Sequence, residues 1–302
     1  MNKRVIANSL LMVTAAIWGF GFVAQRVGSQ YVGAFTFNAI RFALGSLSLL
    51  PLIYLLDKKK APEERHKLTL KGGIIPSVLI GVVLFVASTL QQVGLGFTTA
   101  GKAGFITGLY MVFVPLFGIF LKQKITKNAW LGVVVAVVGL YLLSVTEDFT
   151  IAFGDLLVLI AAVFWAFHIL TIDKFAKEID PLKLSSVQFA TTSILSIIAA
   201  VLFESVTVEG LMGSAIPLLY GGLLSVGVAY TLQVVAQKDA KPSHAAIILS
   251  MESVFGAIGG ALLLSERMDT RGLIGCALIL AGVLISQITF EPKRVVADSL
   301  SK

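Results

Sequence analysis

The sequence predicts an all-α integral membrane protein with ten transmembrane helices in two inverted five-helix repeats. Three observations carry this prediction: apolar blocks of membrane-spanning length, a set of motifs that recurs in the second half, and a one-sided distribution of basic residues. Of the 302 residues, 57% are hydrophobic and 14% are charged. A soluble domain carries about a quarter of its residues as charged side chains, so the composition already favours a membrane protein.

The apolar residues fall in ten blocks of about 20 residues, the length that crosses the hydrocarbon core of a bilayer. The blocks are 7–25, 33–56, 72–96, 100–121, 127–145, 153–172, 182–203, 213–236, 243–264 and 270–289. The longest stretch outside them, Asp57–Lys71, is too short to form a domain. The first block follows Lys3 and Arg4 but lacks a small-residue cleavage site, so we expect it to be retained in the protein.

Three features of the first half recur in the second half at a nearly constant offset in residue number. They are Ala16–Phe20 and Val163–Phe167, offset by 147; Thr89–Gln91 and Thr231–Gln233, offset by 142; and Gly132 with Gly139 against Gly275 with Gly282, offset by 143. Residues 1–146 and 147–290 therefore form two repeats, followed by a short tail, 291–302. Because each repeat holds an odd number of spans, the second is inverted relative to the first. Inverted repeats are typical of secondary transporters.

The basic residues predict the orientation in the membrane. With a cytoplasmic N-terminus, the inner segments hold 19 Lys and Arg residues and the outer segments hold four, while Arg41 lies within a span. The positive-inside rule then places both termini in the cytoplasm and the protein in the cytoplasmic (inner) membrane. The basic loop Asp57–Lys71 is accordingly interpreted as a determinant of topology next to the lipid bilayer. We expect no nucleic-acid partner despite the net charge of +7.

Several kinds of catalytic site are disfavoured by the sequence. The single cysteine, Cys276, excludes disulfides and cysteine metal clusters. The three histidines lie on different segments without metal-ligand spacing, and neither a Walker motif nor a GxSxG serine is found. We therefore expect no enzyme activity, no metal and no cofactor.

The second half resembles the second EamA repeat of the drug/metabolite transporter superfamily. The residues that carry the resemblance are Gly227–Tyr230, Met251–Phe255, Leu264–Arg267 and Gly275–Val283. The first half resembles the first EamA repeat at Ala16–Gly19, Arg41 and Trp130–Gly132. The chain departs from the family at Ser253, where a proline is frequent, and at Gln123, the first-half equivalent of Glu266. The resemblance covers almost the whole chain and implies two inverted five-helix bundles, alternating access, and export or exchange of small organic solutes.

Arg41 is the clearest polar residue inside a span. It lies about eight residues, roughly 12 Å, below the outer surface, where an arginine costs roughly 2.5–3.5 kcal/mol on the insertion scale. One interpretation is that it snorkels outward or binds a backbone carbonyl. The other is that it anchors an anionic group of a substrate or pairs with Glu252. Asn38, three residues earlier, shares its helix face.

Glu252 lies near the middle of the ninth span. A carboxyl group at that depth suits a proton carrier or a ligand for a cation; the alternative is a permanently protonated or arginine-paired structural group. His168, one turn beyond Trp165 in the sixth span, is a second candidate for titration. It can equally form a hydrogen bond across helices.

The remaining candidates line up in pairs or stripes. Gln91 and Gln233 occupy the same place in the two repeats, where their amides bind either a substrate or a neighbouring helix. Tyr230 and Gln237 extend a polar stripe with Gln233 on the eighth span. The aromatic residues Trp18, Trp165 and Tyr110 either wall a pocket and stack on a cationic solute or simply pack. Pro115 predicts a kink in the fourth span.

The leading hypothesis is a secondary transporter of a small polar organic metabolite, such as an amino acid or a drug. We expect an exporter or exchanger that works by alternating access and couples to a proton gradient. Two alternatives remain at this stage: an intramembrane enzyme built on Glu252 and His168, and a polytopic sensor or scaffold. Ten helices can enclose a cavity alone, so we expect a monomer, with a dimer as the alternative.

Overall fold

The computed structural model describes residues 3–60, 68–98, 100–123, 125–144, 153–263 and 270–288. All regular secondary structure within these ranges is helical. Part of the loop Asp57–Lys71, the boundary between the predicted repeats at residue 146, Glu266 and the tail 291–302 lie outside the described residues.

Fourteen α-helices and two π-helical segments make up the described fold. The α-helices are α1 Lys3–Gly28, α2 Ala34–Lys59, α3 Ile75–Gly94, α4 Ala100–Gly108, α5 Tyr110–Phe120, α6 Lys127–Ser144, α7 Phe153–Phe175, α8 Pro181–Phe203, α9 Val208–Gly213, α10 Ala215–Leu219, α11 Thr231–Gln237, α12 Pro242–Leu249, α13 Glu252–Leu263 and α14 Thr270–Gln287. The π-helical segments are Leu70–Ile74, which precedes α3, and Tyr220–Tyr230, which joins α10 to α11.

Eight helical stretches of this fold are long and apolar enough to cross a membrane. Shorter apolar stretches, Lys127–Leu142 and Thr270–Ser286, lie in α6 and α14. The all-helical, membrane-protein part of the prediction is thus confirmed. Each of the ten predicted apolar blocks coincides with one helix or with two or three consecutive helical segments. That all ten blocks cross the membrane remains a prediction.

Two of the predicted spans are interrupted near their middle. One breaks at Leu109 between α4 and α5, and the other breaks at Ser250–Met251 between α12 and α13. The segments that follow begin at Tyr110 and Glu252, which are related by the same offset as the recurring Thr-Leu-Gln motif. The first break precedes Pro115 by more than a helical turn, and α5 continues through the proline.

Helices α2 and α8 pack against each other through serine hydroxyls. The Ser46 hydroxyl donates to the carbonyl oxygen of Ser186, and the Ser193 hydroxyl donates to that of Ala39, both at 2.8 Å. The order of the contacts shows that the helices run antiparallel. Since hydrocarbon offers no water, a hydroxyl inside a span needs a partner of this kind.

Glycines bring α6 and α14 together. A Cβ atom added at Gly132 would lie 2.6 Å from the carbonyl oxygen of Gly282, and one added at Gly139 would lie 2.7 Å from that of Gly275. These two helices therefore also cross antiparallel, with their backbones in contact. The four glycines are the ones that recur between the two halves of the sequence.

Close backbone contact also positions α1 on the first turn of α13. A Cβ atom added at Gly19 would lie 2.7 Å from the carbonyl oxygen of Glu252 and from the amide nitrogen of Gly256. Gly21, two positions along the same helix, is different: its added Cβ would lie 3.6 Å from the Ser225 hydroxyl oxygen, an ordinary contact. The lack of a side chain at Gly19 thus fixes how near α13 lies to α1.

Replacement of each glycine by alanine tests this contact. Gly19→Ala should lower the free energy of unfolding by about 1–3 kcal/mol, because backbone atoms cannot move away as a flexible side chain would. Gly21→Ala should stay within about 0.5 kcal/mol of the parent. Thermal unfolding of the purified protein in detergent measures both. Equal behaviour of the two variants would contradict the assigned contact.

Candidate functional site

A small cavity lined by aromatic and polar side chains lies where the two helix breaks meet α1, α2, α3, α7, α11 and the π-helical segment Tyr220–Tyr230. We call it the central cavity. Its free volume of about 30 Å³ has room for a few water molecules and is too small for an organic solute. Binding of such a solute therefore requires the helices around the cavity to move apart.

The fold brings eight of the ten predicted site residues to this cavity. They are Trp18, Arg41, Gln91, Tyr110, Trp165, Tyr230, Gln233 and Glu252. The other two, Asn38 and His168, are buried behind its wall. The structure thus shows that these residues lie together, while their roles in transport remain predictions.

Arg41 is held inside the protein and does not extend to a helix end. Its side chain is 2% exposed, and its Nε donates to Oδ1 of Asn38 at 2.9 Å. The guanidinium carbon lies 4.9 Å from the ring centroid of Phe42 and 5.5 Å from that of Phe37. Aromatic faces attract a cation, so these contacts stabilise the charge in a site with little water.

Arg41 and Glu252 line the same cavity without forming an ion pair in this conformation. Ion pairs with an N–O distance within 4.0 Å among the described residues join Lys60 to Asp180 and Lys183 to Asp57. The predicted pairing of Arg41 with Glu252 in another state of a transport cycle stays a prediction.

Glu252 and Tyr110 occupy the first position after the two helix breaks. Their side chains are 4% and 3% exposed, and they lie next to each other. Neither Oε1 of Glu252 nor the hydroxyl oxygen of Tyr110 has a hydrogen-bond partner in the described structure. A buried oxygen without a partner is costly, so both atoms are available to a bound group.

The two equivalent glutamines have different surroundings. Oε1 of Gln91 accepts a hydrogen bond from the Trp165 indole at 2.7 Å, and its Nε2 donates to Oε1 of Gln25 at 3.5 Å. The Thr107 hydroxyl also donates to Oε1 of Gln91 at 3.5 Å, so Gln91 connects α3 to α1, α4 and α7. Oε1 of Gln233, in contrast, is buried in the cavity wall and has no partner in the described structure. The sequence treats the two glutamines alike, and only the packing separates them.

Tyr230 is the centre of an aromatic wall. Its ring centroid lies 4.4 Å from that of Trp18 and 6.0 Å from that of Trp165. The Trp18 indole donates to the carbonyl oxygen of Ser225 at 3.2 Å, which fixes one side of the wall. The electron-rich faces of these rings suit a cationic group.

His168 belongs to the layer behind this wall. Its Nε2 lies 3.1 Å from Oε1 of Gln188, and its ring meets Trp165 and Tyr230 edge-on. These contacts favour the interpretation of His168 as a cross-helix hydrogen-bonding group that orients the aromatic residues.

Five further residues line the cavity and were missed by sequence reasoning. They are Phe22, Gln25, Thr107, Ile169 and Ser225. The repeat offers a signal for two of them, since Phe22 and Ile169 are related by the same offset as Trp18 and Trp165 and are hence equivalent. Gln25 was detectable as an amide at the end of an apolar block. Thr107 and Ser225 give no signal, because a small hydroxyl inside a span is usually satisfied by its own helix.

Comparisons with known proteins identify the family of the whole chain. The EamA-like transporter family matches residues 5–145 and again residues 152–287. An uncharacterized transporter of Archaeoglobus fulgidus is 33% identical over 284 residues, which is 94% of this chain and 86% of that protein. The threonine/homoserine exporter RhtA of Escherichia coli K12 is 29% identical over 298 residues, 96% of this chain and 93% of its own length.

The chain is also similar to a transporter of Bacillus subtilis in sequence and to a protein of known structure in fold. The uncharacterized transporter YoaV of Bacillus subtilis is 26% identical over 285 residues, 92% of this chain and 96% of that protein. A protein of known crystal structure has the same fold, with a TM-score of 0.73, 19% identity, and coverage of 92% of this chain and 96% of its own. Since the two family matches together span nearly all of the sequence, the chain belongs to the EamA-like transporter family.

Proposed function

We propose that this protein is a secondary active transporter that moves a small polar organic metabolite, such as an amino acid, across the cytoplasmic membrane by alternating access. It exports the solute, or exchanges it, at the expense of a proton gradient. The observation that carries the proposal is the central cavity, where one buried cation, Arg41, and one buried acid, Glu252, share a wall with aromatic and amide groups.

The contacts between equivalent helices support an inverted repeat. Helices α2 and α8 begin at positions related by the same offset as Trp18 and Trp165, so Ser46 corresponds to Ser193 and Ala39 to Ser186. In a pair of helices related by a twofold axis, each contact occurs twice with the partners exchanged. The two serine hydrogen bonds and the two glycine contacts between α6 and α14 have this form. Because the equivalent helices are antiparallel, such an axis lies in the plane of the membrane.

The broken helices provide the moving parts for alternating access. Transporters with inverted repeats bind their substrates beside discontinuous helices at the repeat interface. Here α4–α5 and α12–α13 are the discontinuous pairs, and both breaks adjoin the central cavity. If each repeat adopted the conformation of the other, the cavity would open first to one side of the membrane and then to the other.

The charges of the cavity support an amino acid or a similar solute. Arg41 suits a carboxylate, and Glu252 suits either a proton or a cationic group. RhtA is named as an exporter of threonine and homoserine, which are zwitterions. An enzyme built on Glu252 and His168 is less well supported, because His168 lies behind the wall. We expect the monomer to be the transporting unit.

Labelling at the two ends of α2 tests the proposed cytoplasmic location of the termini. Gln30, just before α2, and Lys59, at its end, are both exposed, and a cysteine is introduced at each in turn in a Cys276→Ala background. An impermeant thiol reagent added to intact cells should label the Gln30→Cys protein only, because basic residues stay inside. Labelling of Lys59→Cys from outside would show that the orientation is reversed.

A mutant cycle tests pairing of Arg41 with Glu252 during transport. Arg41→Gln and Glu252→Gln should each reduce flux, because each leaves an uncompensated buried charge in the paired state. The double variant should then be less impaired than the sum of the single losses predicts. Flux into proteoliposomes measures all four proteins. Strictly additive losses would exclude the pairing.

Glu252→Gln tests the proton coupling. An amide keeps the shape of the side chain but cannot take up and release a proton, so flux driven by an imposed pH gradient should fall by at least about tenfold. Exchange of the solute at equal pH should fall less than pH-driven flux does, since exchange needs no net proton movement. Proteoliposomes loaded with an amino-acid mixture serve for both measurements.

The control for this variant is Glu178→Gln, which removes an exposed acid near the end of α7. It should retain pH-driven flux. Wild-type pH dependence in Glu252→Gln would show that the proton travels through another group, with His168 the next candidate. Absence of solute flux in the wild-type protein would refute the transport function itself.

A further inference from the structure

We propose that Glu252, Tyr110 and Gln233 form a binding site for a primary ammonium group, and that the transported solute is therefore a primary amine. This inference rests on the proposed function and specifies which end of the solute each wall of the central cavity receives. The three oxygens bind the ammonium group of the solute, and Arg41 binds its anionic end.

The first argument is the hydrogen-bonding state of the three oxygens. Oε1 of Glu252, Oε1 of Gln233 and the hydroxyl oxygen of Tyr110 are all buried, and none has a hydrogen-bond partner in the described structure. All three residues line the same small cavity. Buried polar atoms are nearly always paired, so three unpaired oxygens at one cavity indicate a group that donates to them.

The second argument is the number and kind of hydrogen bonds. A primary ammonium group has three N–H donors and no acceptor, which matches three oxygens in number and in polarity. The Tyr110 hydroxyl can accept through a lone pair, and with an ammonium group bound its O–H can turn toward the adjacent Glu252 carboxylate. A quaternary ammonium group carries the same charge but has no N–H, so it would leave all three oxygens unpaired.

The third argument is the size and nature of the surroundings. The free volume of about 30 Å³ accommodates a group the size of an ammonium, while the remainder of the solute occupies space that opens with the helices. Trp18 and Tyr230, whose ring centroids lie 4.4 Å apart, line the same cavity and offer faces to a cation. Charge from Glu252 completes a site that selects a compact cation with N–H groups.

The experiment uses two variants that each remove one unpartnered buried oxygen. Tyr110→Phe removes the oxygen in the cavity wall. Thr231→Val is the matched control, since the Thr231 hydroxyl is also buried and unpartnered in the described structure but does not line the cavity. Thermal unfolding without ligand shows whether each variant is folded.

The proteinogenic amino acids are tested first. Each one that binds is then compared with its N,N,N-trimethyl derivative. Binding is measured by ligand-induced stabilisation of the full-length protein in lipid nanodiscs. At least one primary amine should bind about tenfold more tightly than its trimethyl derivative, because hydrogen bonds to a charged group are lost on methylation. Tyr110→Phe should reduce this preference several-fold, and Thr231→Val should leave it unchanged.

Three results would overturn the inference: no primary amine binds, the trimethyl derivatives bind equally well, or the preference is the same in Tyr110→Phe as in the parent. The last two would point to a bound water as the partner of the oxygens. These outcomes are independent of transport, since binding is measured without flux. Flux of a solute that is not an amine would refute the ammonium site but support the transport function. Amine binding without any flux would support the ammonium site but refute the transport function.

Discussion

The absence of water from hydrocarbon is the constraint on which the rest of this structure depends. Each polar group within a span must find its partner inside the protein. The hydroxyls of Ser46 and Ser193 find theirs on a facing helix, and Gln91 finds its own in Trp165. These bonds hold the helices together. The same constraint marks the site, because Glu252 and its neighbours carry oxygens that the described structure leaves unpartnered.

The position of the buried acid depends on backbone contact. Gly19 lets α1 touch the first turn of α13, and Glu252 is the first residue of that turn. A side chain at Gly19 would separate the helices and displace the carboxyl group from the cavity. Backbone packing thus places the acid at the cavity.

The proposed repeat combines a symmetric scaffold with asymmetric chemistry. Trp18 and Trp165 are equivalent in the two halves and both line the cavity. The charged residues have neutral equivalents: Tyr110 stands where the second half has Glu252, and Gln188 corresponds to Arg41 at the offset that relates the two tryptophans. Symmetric helices would supply the two conformations of similar energy that the proposed alternating access requires. In the proposed mechanism, Glu252 would give one site at which proton and solute are coupled.

The sequence was enough to predict the apolar blocks, the all-helical class, the family and eight residues of the cavity wall. These features follow from span length, hydrophobicity and isolated charges in hydrocarbon, which are local properties of the chain. Which polar groups are satisfied depends instead on packing. Gln91 and Gln233 are equivalent in sequence, yet of their two amide oxygens only that of Gln91 meets a partner, from a helix that is remote from it along the chain. The break at Leu109 follows Gly108, whereas the equivalent break at Ser250–Met251 has neither glycine nor proline beside it. Such features depend on neighbours across the bundle, which no local pattern specifies.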